Sequence, residues 1–356
     1  MGDKTYKRLA SALVSRFTKT KPNSIYKEQD FCAKITKAID KNTYFETVKD
    51  NILPDADTVN LKIKANSGIN PIRKILKEKS SKLLKNLKEP FYLVFDSTYI
   101  PFYGRKKDKW IHEYTNNTKG ATGSYKFLSC FVLTDTGQRF FVDACPLSVF
   151  FDEKKEVINI IDWITKELKK HPKITLFDRG YYSSALFYEL NKRGIRYLML
   201  VPKRNEIKKF LHEKFDEDEN NRQCFNSAFA VKNTNIQLVY YREQKDLNEH
   251  IDWLFATNVC MKKYIHYIRV YKKRWNIETG FRVADEATAK TKSSDIVVRF
   301  FLFACSFILY NLWKEFYPGC SFKRFISANW EEIVLGLEFR KGVVFCLLFL
   351  CGFNAL

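Results

Sequence analysis

Apolar and polar positions follow two different patterns along the chain, and the change comes at about residue 88. Before it, apolar residues recur at helical spacing, as in residues 6–17 and 31–39, and a further short pattern covers residues 59–63. Beyond Pro90, short runs of β-branched and aromatic residues each predict a strand. These runs are residues 91–95, 127–133, 139–145, 173–177 and 196–201.

The segments between these runs carry signals of their own. Asp135-Thr136-Gly137 predicts the turn of a hairpin between the second and third runs. Helical spacing returns in residues 153–170 and again after residue 183. The predicted order is therefore three strands, a helix, a strand, a helix and a strand.

A charged segment then interrupts this order. Residues 213–219 are rich in charged side chains, and strand-like runs follow at residues 236–241 and 253–259. We predict an inserted, mostly β subdomain over residues 203–263. Residues 264–290 after it carry a helical pattern, and an apolar helix is predicted over residues 296–313.

Two apolar runs, residues 300–310 and 343–353, are shorter than the roughly 20 residues that a membrane-spanning helix needs. We predict buried helices there and no membrane association. The charged start of the chain lacks the apolar core of an export signal, so we expect a cytoplasmic protein. The nine cysteines form no C-x2-C pair, which indicates core thiols in a reducing compartment and not a disulfide framework or a zinc site.

The charge balance narrows the class of partner. The 356 residues include 61 Lys and Arg against 40 Asp and Glu, a formal net charge of +21. Such a surface favours a polyanion, because phosphate contacts and counterion release supply much of the affinity for nucleic acid. Bases alternate with aromatic residues between Tyr103 and Trp110, a mixture found in nucleic-acid paths as well as in ordinary solvated loops.

Two of the predicted strands end at an acidic residue. Asp96 follows residues 91–95, and Asp178 follows residues 173–177 within the motif Phe-Asp-Arg-Gly-Tyr-Tyr. Gly180 is expected to permit the backbone angles with which the chain leaves the sheet. A single aspartate at a strand end is usually a turn former. The repetition favours a site at which the two carboxylates meet.

A third acid, Glu278, lies on the predicted 264–290 helix. At about 100° per residue, one stripe of that helix carries Tyr271, Arg274, Trp275, Glu278, Arg282 and Asp285. The four-residue spacing of Arg274, Glu278 and Arg282 also fits simple surface ion pairs. Together with Asp96 and Asp178, however, Glu278 completes the oxygen-rich set that Mg²⁺ or Mn²⁺ prefers, and two such ions about 4 Å apart suit phosphoryl transfer.

These motifs resemble the DDE transposases of prokaryotic, that is bacterial and archaeal, insertion sequences. The resemblance covers roughly residues 90–315, and it is carried by Asp96, by the Phe-Asp-Arg-Gly-Tyr-Tyr motif around Asp178 and by the spacing Tyr271-x2-Arg274-x3-Glu278. It implies an α/β fold with a ribonuclease-H-like mixed sheet flanked by helices, a helical N-terminal region and a β-rich insertion before the Glu-bearing helix.

The patterns along the chain, together with the resemblance, predict a division into regions. Residues 1–88 form the helical basic region, a candidate for binding DNA ends, although an ordinary helical subdomain fits the pattern equally well. The catalytic core takes residues 89–202 and 264–320, on either side of the insertion at residues 203–263. Residues 321–356 form a C-terminal tail.

The implied activity is cut-and-paste transposition, with Asp96, Asp178 and Glu278 holding two Mg²⁺ or Mn²⁺ ions. DNA contacts are implied or expected for five side chains, namely Tyr271, Arg274, Arg179, Arg282 and Lys292. The expected partners are double-stranded DNA, as element ends and target, and a second copy of the chain in a homodimer on paired ends. The expected location is the cytoplasm, in association with the nucleoid.

One position departs from the family pattern. Seven residues after the glutamate the family carries lysine, and this chain has Asp285. We expect Arg282, or Lys292 if the helix continues that far, to replace the missing cation. Two alternatives remain at this stage: a ribonuclease-H-fold nuclease that cleaves DNA without joining it, and a DNA-binding relic without catalysis.

Overall fold

The computed structural model describes residues 24–49, 51–66, 68–105, 108–114, 118–202, 204–246, 249–317 and 319–328. The predicted helix at residues 6–17 and the apolar run at residues 343–353 lie outside these ranges. The chain divides into two compact units, one formed by residues 1–80 with 280–356 and the other by residues 81–279. The domain boundaries expected from the sequence stay predictions.

The elements are α1 (Glu28–Asp40), α2 (Ala56–Asn66), α3 (Ile69–Asn86), β1 (Phe91–Phe102), β2 (Ile111–His112), β3 (Gly123–Thr134), β4 (Arg139–Leu147), α4 (Glu153–Asp162), β5 (Ile174–Phe177), α5 (Ser184–Lys192), β6 (Tyr197–Leu200), α6 (Asn205–Glu217), β7 (Cys224–Val231), β8 (Thr234–Asp246), β9 (Glu249–Thr257), α7 (Tyr264–Lys272), α8 (Trp275–Glu286) and α9 (Ile296–Phe316).

In the unit formed by residues 1–80 and 280–356, the described part is built from helices. Its α2 packs against α9, and Lys64 of α2 lies 3.4 Å from Asp295, which caps the start of α9. Of the helices that the structure describes, α9 is the one with the length and apolar composition to cross a membrane. It is longer than the 11-residue apolar run 300–310, because its helical pattern extends to both sides of that run. Most of its residues are buried inside the protein, as the sequence predicted.

The unit formed by residues 81–279 contains one mixed sheet. Its strands lie in the order β2-β3-β1-β5-β6-β9-β8-β7, and β4 pairs with β3. Strand β1 is antiparallel to β3 and parallel to β5, β5 is parallel to β6, and β9 is antiparallel to β6. Residues 91–95 are all buried, as expected for a central strand that is covered on both faces. This α/β sheet with its flanking helices confirms the predicted fold class.

Each face of the sheet packs against helices. On one face, Phe95 and Phe177 stack with their ring centroids 5.5 Å apart, in a core that includes Ile160 of α4 and Leu186 of α5. On the other face, α7 packs on β6 and β8. Asp96 and its neighbour Ser97 point to opposite faces, because successive side chains alternate along a strand.

Three regions of the sheet unit differ clearly from the sequence prediction. Strand β1 does not end before Asp96 but continues to Phe102, because residues 96–102 keep their pairing with β3. The interrupting segment contains helix α6 and the strand β7, neither of which was predicted. Strand β7 escaped notice because its residues are mostly small or polar and alternate between half-buried and exposed positions.

The third difference concerns the predicted 264–290 helix, which is wrong as one continuous element. Helix α7 ends at Lys272 and α8 begins at Trp275. At the break, hydrogen bonds between residues three positions apart, such as Arg274 N to Tyr271 O (2.8 Å), replace the four-residue spacing of an α-helix. Helix α8 ends at Glu286. Beyond it, the carbonyl of Lys290 accepts a hydrogen bond from the Phe45 amide at 3.0 Å, and this tertiary contact competes with further helix.

Candidate active site

The register of the two central parallel strands places two acids side by side. The pairing of β1 with β5 runs through Phe95 and Phe177, and the residues that follow are Asp96 and Asp178. The chain turns away after Asp178 in a short 3₁₀ segment, Arg179–Tyr181, whereas β1 continues. The sheet therefore delivers both carboxylates to one place, although they are 82 positions apart in the sequence.

The break between α7 and α8 adds a base and the third acid to this place. Arg274 is buried, and its Nη2 donates to Glu278 Oε1 at 2.6 Å, while its Nη1 lies 3.5 Å from Asp96 Oδ2. One guanidinium thus connects two of the predicted catalytic acids. Asp96 is half-buried and the Glu278 side chain is 51% exposed, so the cluster extends from the interior to solvent.

The charges of this cluster are not balanced. Burial raises the pKa of Asp96 to about 6, and the negative charges of Asp178 and Glu278 act in the same direction. Arg274 and the Ser97 amide, which donates to Asp96 Oδ1 at 2.8 Å, oppose that rise and do not cancel it. Three carboxylates around one guanidinium leave negative charge that a bound cation would neutralise.

Tyr271 supports Arg274 from the buried side. Its ring lies 5.2 Å from the ring of Phe255 and 5.7 Å from the Arg274 guanidinium. Burial raises the pKa of Tyr271, and neither its hydroxyl nor Arg274 Nε has a hydrogen-bond partner among the described residues. In this arrangement Tyr271 contacts Arg274 and is not on the surface, which sequence periodicity alone could not reveal.

The other predicted contact residues are spread more widely. Arg179 and Arg282 are exposed, and Arg282 lies one turn after Glu278 on α8. Lys292 was expected to contribute only if the helix continued that far, and this condition is not met, because α8 ends at Glu286. Lys292 lies in the following loop, where its amide donates to Glu46 Oε1 at 2.9 Å.

Gly180 also requires a correction. The structure gives it no positive φ, so the backbone does not need glycine in order to leave the sheet here. A Cβ built on Gly180 would meet no atom within 4 Å. The turn after Asp178 therefore presents an open backbone surface beside the acids.

Sequence reasoning missed one charged group near the site, Glu153 at the start of α4. Its carboxylate accepts hydrogen bonds from Ser97 and from Tyr181 (2.8 Å), and Lys126 Nζ lies 2.5 Å from its second oxygen. An acid in the first turn of a helix is common for reasons of helix capping. No local signal could connect Glu153 with Ser97, which lies 56 positions earlier.

An exposed apolar loop, residues 149–151, comes just before Glu153 in the chain. Val149, Phe150 and Phe151 are all exposed, Phe150 to 86%, and they precede α4 directly. The Val149 amide donates to the carbonyl of Lys109 at 2.8 Å, which ties the loop to the segment in which bases alternate with aromatic residues. Exposed aromatic rings beside lysines are typical of surfaces on which nucleic-acid bases stack.

The donor set agrees with a hard divalent cation in its chemistry, since it consists of carboxylate oxygens. Within the described ranges, however, no three acidic, histidine or cysteine side chains lie close enough together to hold one ion. Glu278 is hydrogen-bonded to Arg274 instead. Asp96 and Asp178 are adjacent by register, and Glu278 would join them on release from Arg274.

Comparison with known families identifies the chain. The model of the transposase DDE domain matches residues 92–312, which is more than half of the sequence. The chain belongs to the DDE transposase family. It is therefore an enzyme of DNA transposition, which cleaves and transfers DNA strands, and this confirms the activity that the three acids and their motifs implied.

Solved structures agree on the fold. This transposase is similar to the piggyBac transposase in a cryo-EM structure of its synaptic complex with hairpin DNA, with a TM-score of 0.60 and 12% identity over 96% of this chain and 82% of that one. The likeness confirms the ribonuclease-H-like arrangement.

A Mos1 transposase paired-end complex with the left transposon end also matches, at 13% identity over 56% of this chain and 74% of that one. Its TM-score of 0.20 is too low to indicate a shared arrangement. No curated protein matches the chain in sequence.

Proposed function

We propose that this transposase moves a prokaryotic insertion sequence by cut-and-paste transposition and that Asp96, Asp178 and Glu278 are its catalytic carboxylates. The observation that carries the proposal is their convergence. Strand register places Asp96 beside Asp178, and Arg274 connects Asp96 with Glu278. These acids come from three separate segments, and ordinary surface ion pairing does not explain why two of them contact one buried guanidinium while the third is adjacent by strand register.

The same carboxylates are the proposed ligands of two Mg²⁺ or Mn²⁺ ions. When bound, such ions would lower the pKa of the attacking water or 3′-hydroxyl and would stabilise the charge that develops on the scissile phosphate. Asp96 and Asp178 would be ligands shared by the two ions, and Glu278 would complete the site of the second. The acids also repel DNA phosphates when no cation is present, so metal and DNA binding are expected to support each other.

Arg274 has two possible partners in this proposal. Its planar guanidinium can bind a carboxylate or a phosphate through paired hydrogen bonds, so it can exchange Glu278 for a phosphate of the DNA end. The ring of Tyr271 packs against the guanidinium and holds it in place. Because Tyr271 is buried, this positioning role is favoured over direct contact with DNA. Arg179 and Arg282 are exposed and suited to further phosphate contacts.

Double-stranded DNA is the proposed partner, as element ends and as target, with a homodimer on paired ends. The net charge of +21 and the exposed aromatic and basic surface around Phe150 and Lys109 support it. The piggyBac structure to which this chain is similar is a complex of a transposase with DNA. The proposed location is the cytoplasm at the nucleoid, where thiols such as the buried Cys32, Cys130 and Cys305 stay reduced.

The decisive experiment incubates the purified protein with its own element's end sequences, a target plasmid and Mg²⁺. Joined products are expected in addition to cleaved ends. Cleavage without joining would favour the ribonuclease-H-fold nuclease, and binding without cleavage would favour the inactive relic. Asp178→Asn protein provides the control for contaminating nucleases.

The position of Asp285 bears on the strength of binding at the DNA end. We propose that Arg282, one turn after Glu278 on α8, replaces the family lysine as a phosphate contact, with Lys292 as a weaker contact from its loop. Arg282→Ala should then weaken end binding and slow cleavage, while Asp285→Lys should increase activity or leave it unchanged.

Glu286→Lys adds the same charge one residue further on and serves as the matched control. If Arg282→Ala behaves like the wild type while Asp285→Lys activates an inert protein, no compensation exists and this copy of the enzyme has decayed.

A further inference from the structure

We propose that Glu153 is a positioning residue that fixes the separation of the two catalytic aspartates. The proposal rests on the proposed roles of Asp96 and Asp178. It assigns Glu153 no contact with DNA or metal. Its function is to clamp the segment after Asp96 to the segment after Asp178.

The geometry of the clamp is direct. Tyr181 Oη donates to Glu153 Oε1 at 2.8 Å, and Ser97 Oγ hydrogen-bonds to the same oxygen. The two hydroxyls lie 3.3 Å from each other. Ser97 follows Asp96 by one residue, and Tyr181 follows Asp178 by three. A single carboxylate oxygen therefore joins β1, at the residue after Asp96, to the 3₁₀ turn that follows Asp178.

The clamp acts where the sheet stops restraining the chain. The parallel pairing of β1 with β5 brings Asp178 next to Asp96 and ends there, at Phe95 and Phe177, so no further ladder pairing connects the segment after Asp178 to β1. The ring of Tyr181 lies 5.5 Å from the ring of Phe177, which orients its hydroxyl toward Glu153. Burial raises the pKa of Tyr181 well above its ordinary value, so the hydroxyl stays protonated and able to donate.

Glu153 is itself held firmly. It occupies the first turn of α4, and the Asp152 side chain caps that helix by accepting from the amides of Lys154 and Lys155. Lys126 Nζ lies 2.5 Å from the second oxygen of Glu153, with both side chains largely buried. Because this ion pair balances its charge, Glu153 does not add another uncompensated anion to the acids on the opposite face of β1.

The chain provides a closely matched pair of variants. Tyr181→Phe removes the hydroxyl that reaches Glu153 and keeps the ring. Tyr182→Phe, at the next position, removes a buried hydroxyl that has no hydrogen-bond partner among the described residues. Both changes delete one oxygen from the same motif. A difference between the two variants is therefore caused by the hydrogen bond to Glu153.

The readouts are Mn²⁺ binding to the DNA-free protein, measured by electron paramagnetic resonance, and the kcat and KM of end cleavage. Partners that orient metal ligands are worth about 10- to 100-fold in affinity or activity. For Tyr181→Phe we expect about a tenfold loss in Mn²⁺ affinity and in kcat with an unchanged KM for DNA. Tyr182→Phe should match the wild type in both.

Rescue provides a second test. Glu153→Gln leaves the charge of Lys126 without its partner carboxylate. The double variant Glu153→Gln with Lys126→Met removes this unpaired charge, and the glutamine still offers an oxygen to the hydroxyls of Ser97 and Tyr181. The double variant should recover most of the activity that Glu153→Gln loses. Wild-type behaviour of Tyr181→Phe, or equal losses in Tyr181→Phe and Tyr182→Phe, would overturn the clamp. If Asp96→Asn and Asp178→Asn leave Mn²⁺ binding unchanged, it is the proposed metal site that fails.

Discussion

Strand β1 has an acidic group on each face, and the two groups are neutralised to different extents. On one face, Asp96, Asp178 and Glu278 share the single guanidinium of Arg274. On the other face, Glu153 has its own lysine and two hydroxyl donors. A fully satisfied carboxylate stabilises the fold. The acids around Arg274 retain negative charge, which is the property that a cation site requires.

A second acid on the Asp96 side of the sheet shows that location alone does not cause this difference. Asp135 lies 2.9 Å from both Lys173 and Lys273. Burial raises the pKa of Asp135, but hydrogen bonds from these two lysines outweigh burial and lower this pKa to about 2. The pKa of Asp96, in contrast, rises to about 6. Burial, helped by two acidic neighbours, raises the pKa of Asp96, whereas at the more exposed Asp135 two lysines outweigh the effect of burial.

The largest effect is expected from removing a carboxylate of the Asp96 group. Asp178→Asn or Glu278→Gln should reduce cleavage on the order of 10⁴-fold, as the loss of one member of a catalytic triad does. DNA binding should be retained, because neither side chain donates to phosphate. A cleavage assay on labelled ends measures the effect, with Glu153→Gln as the comparison that only slows the reaction. Near wild-type cleavage by either variant would show that the triad is assigned incorrectly.

The next effect separates the neighbours Arg274 and Lys273. Arg274→Met should lower the free energy of unfolding at pH 8 by about 2–3 kcal/mol, less than for a fully buried pair because Glu278 is half exposed. Lys273→Met should cost at most about 1 kcal/mol, since Asp135 keeps Lys173.

The decrease in the free energy of unfolding caused by Arg274→Met should depend on pH. Asp96 has a folded-state pKa above its ordinary value, so its contribution to stability is complete below about pH 4 and is lost as the pH rises through about 6. Without Arg274, which lowers that pKa, the loss extends to higher pH. Urea unfolding at pH 5 should therefore show a smaller difference from the wild type than at pH 8. Equal losses at both values would contradict the charge argument.

A smaller effect concerns DNA binding without metal. Asp96→Asn should bind element ends about fivefold more tightly in EDTA, because one repulsion of roughly 1 kcal/mol between a carboxylate and a phosphate is removed. Glu153→Gln should not gain affinity, since Lys126 already neutralises that carboxylate. Filter binding at several salt concentrations measures both, and affinity should fall steeply with salt for all variants. A flat salt dependence would argue against nucleic acid as the partner.

The smallest effect is the competition between protons and metal. With a pKa of about 6, Asp96 is roughly three-quarters protonated at pH 5.5, so Mn²⁺ affinity should fall about fourfold between pH 7.5 and pH 5.5. Titration calorimetry of the DNA-free protein at the two pH values tests this. A pH-independent affinity would indicate that Asp96 is not a ligand.

The sequence by itself determined the elements that depend on local spacing. Apolar runs predicted the central strands, the resemblance of the motifs to a known family implied the ribonuclease-H-like fold, and the placement of acids after two runs selected Asp96 and Asp178. The turn at Asp135-Thr136-Gly137 is another local signal, because Gly137 adopts a φ of +92° that other residues rarely take. Such features are visible because each rests on neighbours a few positions apart.

Only the tertiary structure decided which charges meet. It broke the predicted 264–290 helix between Lys272 and Trp275, where Lys273 and Arg274 reach separate acids of the sheet unit. It removed Lys292 from the helix, and it brought Glu153 to Ser97 and Tyr181. Helical periodicity in the sequence shows only which face of a segment is apolar. The partner of a buried charge depends on segments that are distant in sequence, and the packing of the sheet and its helices brings them together.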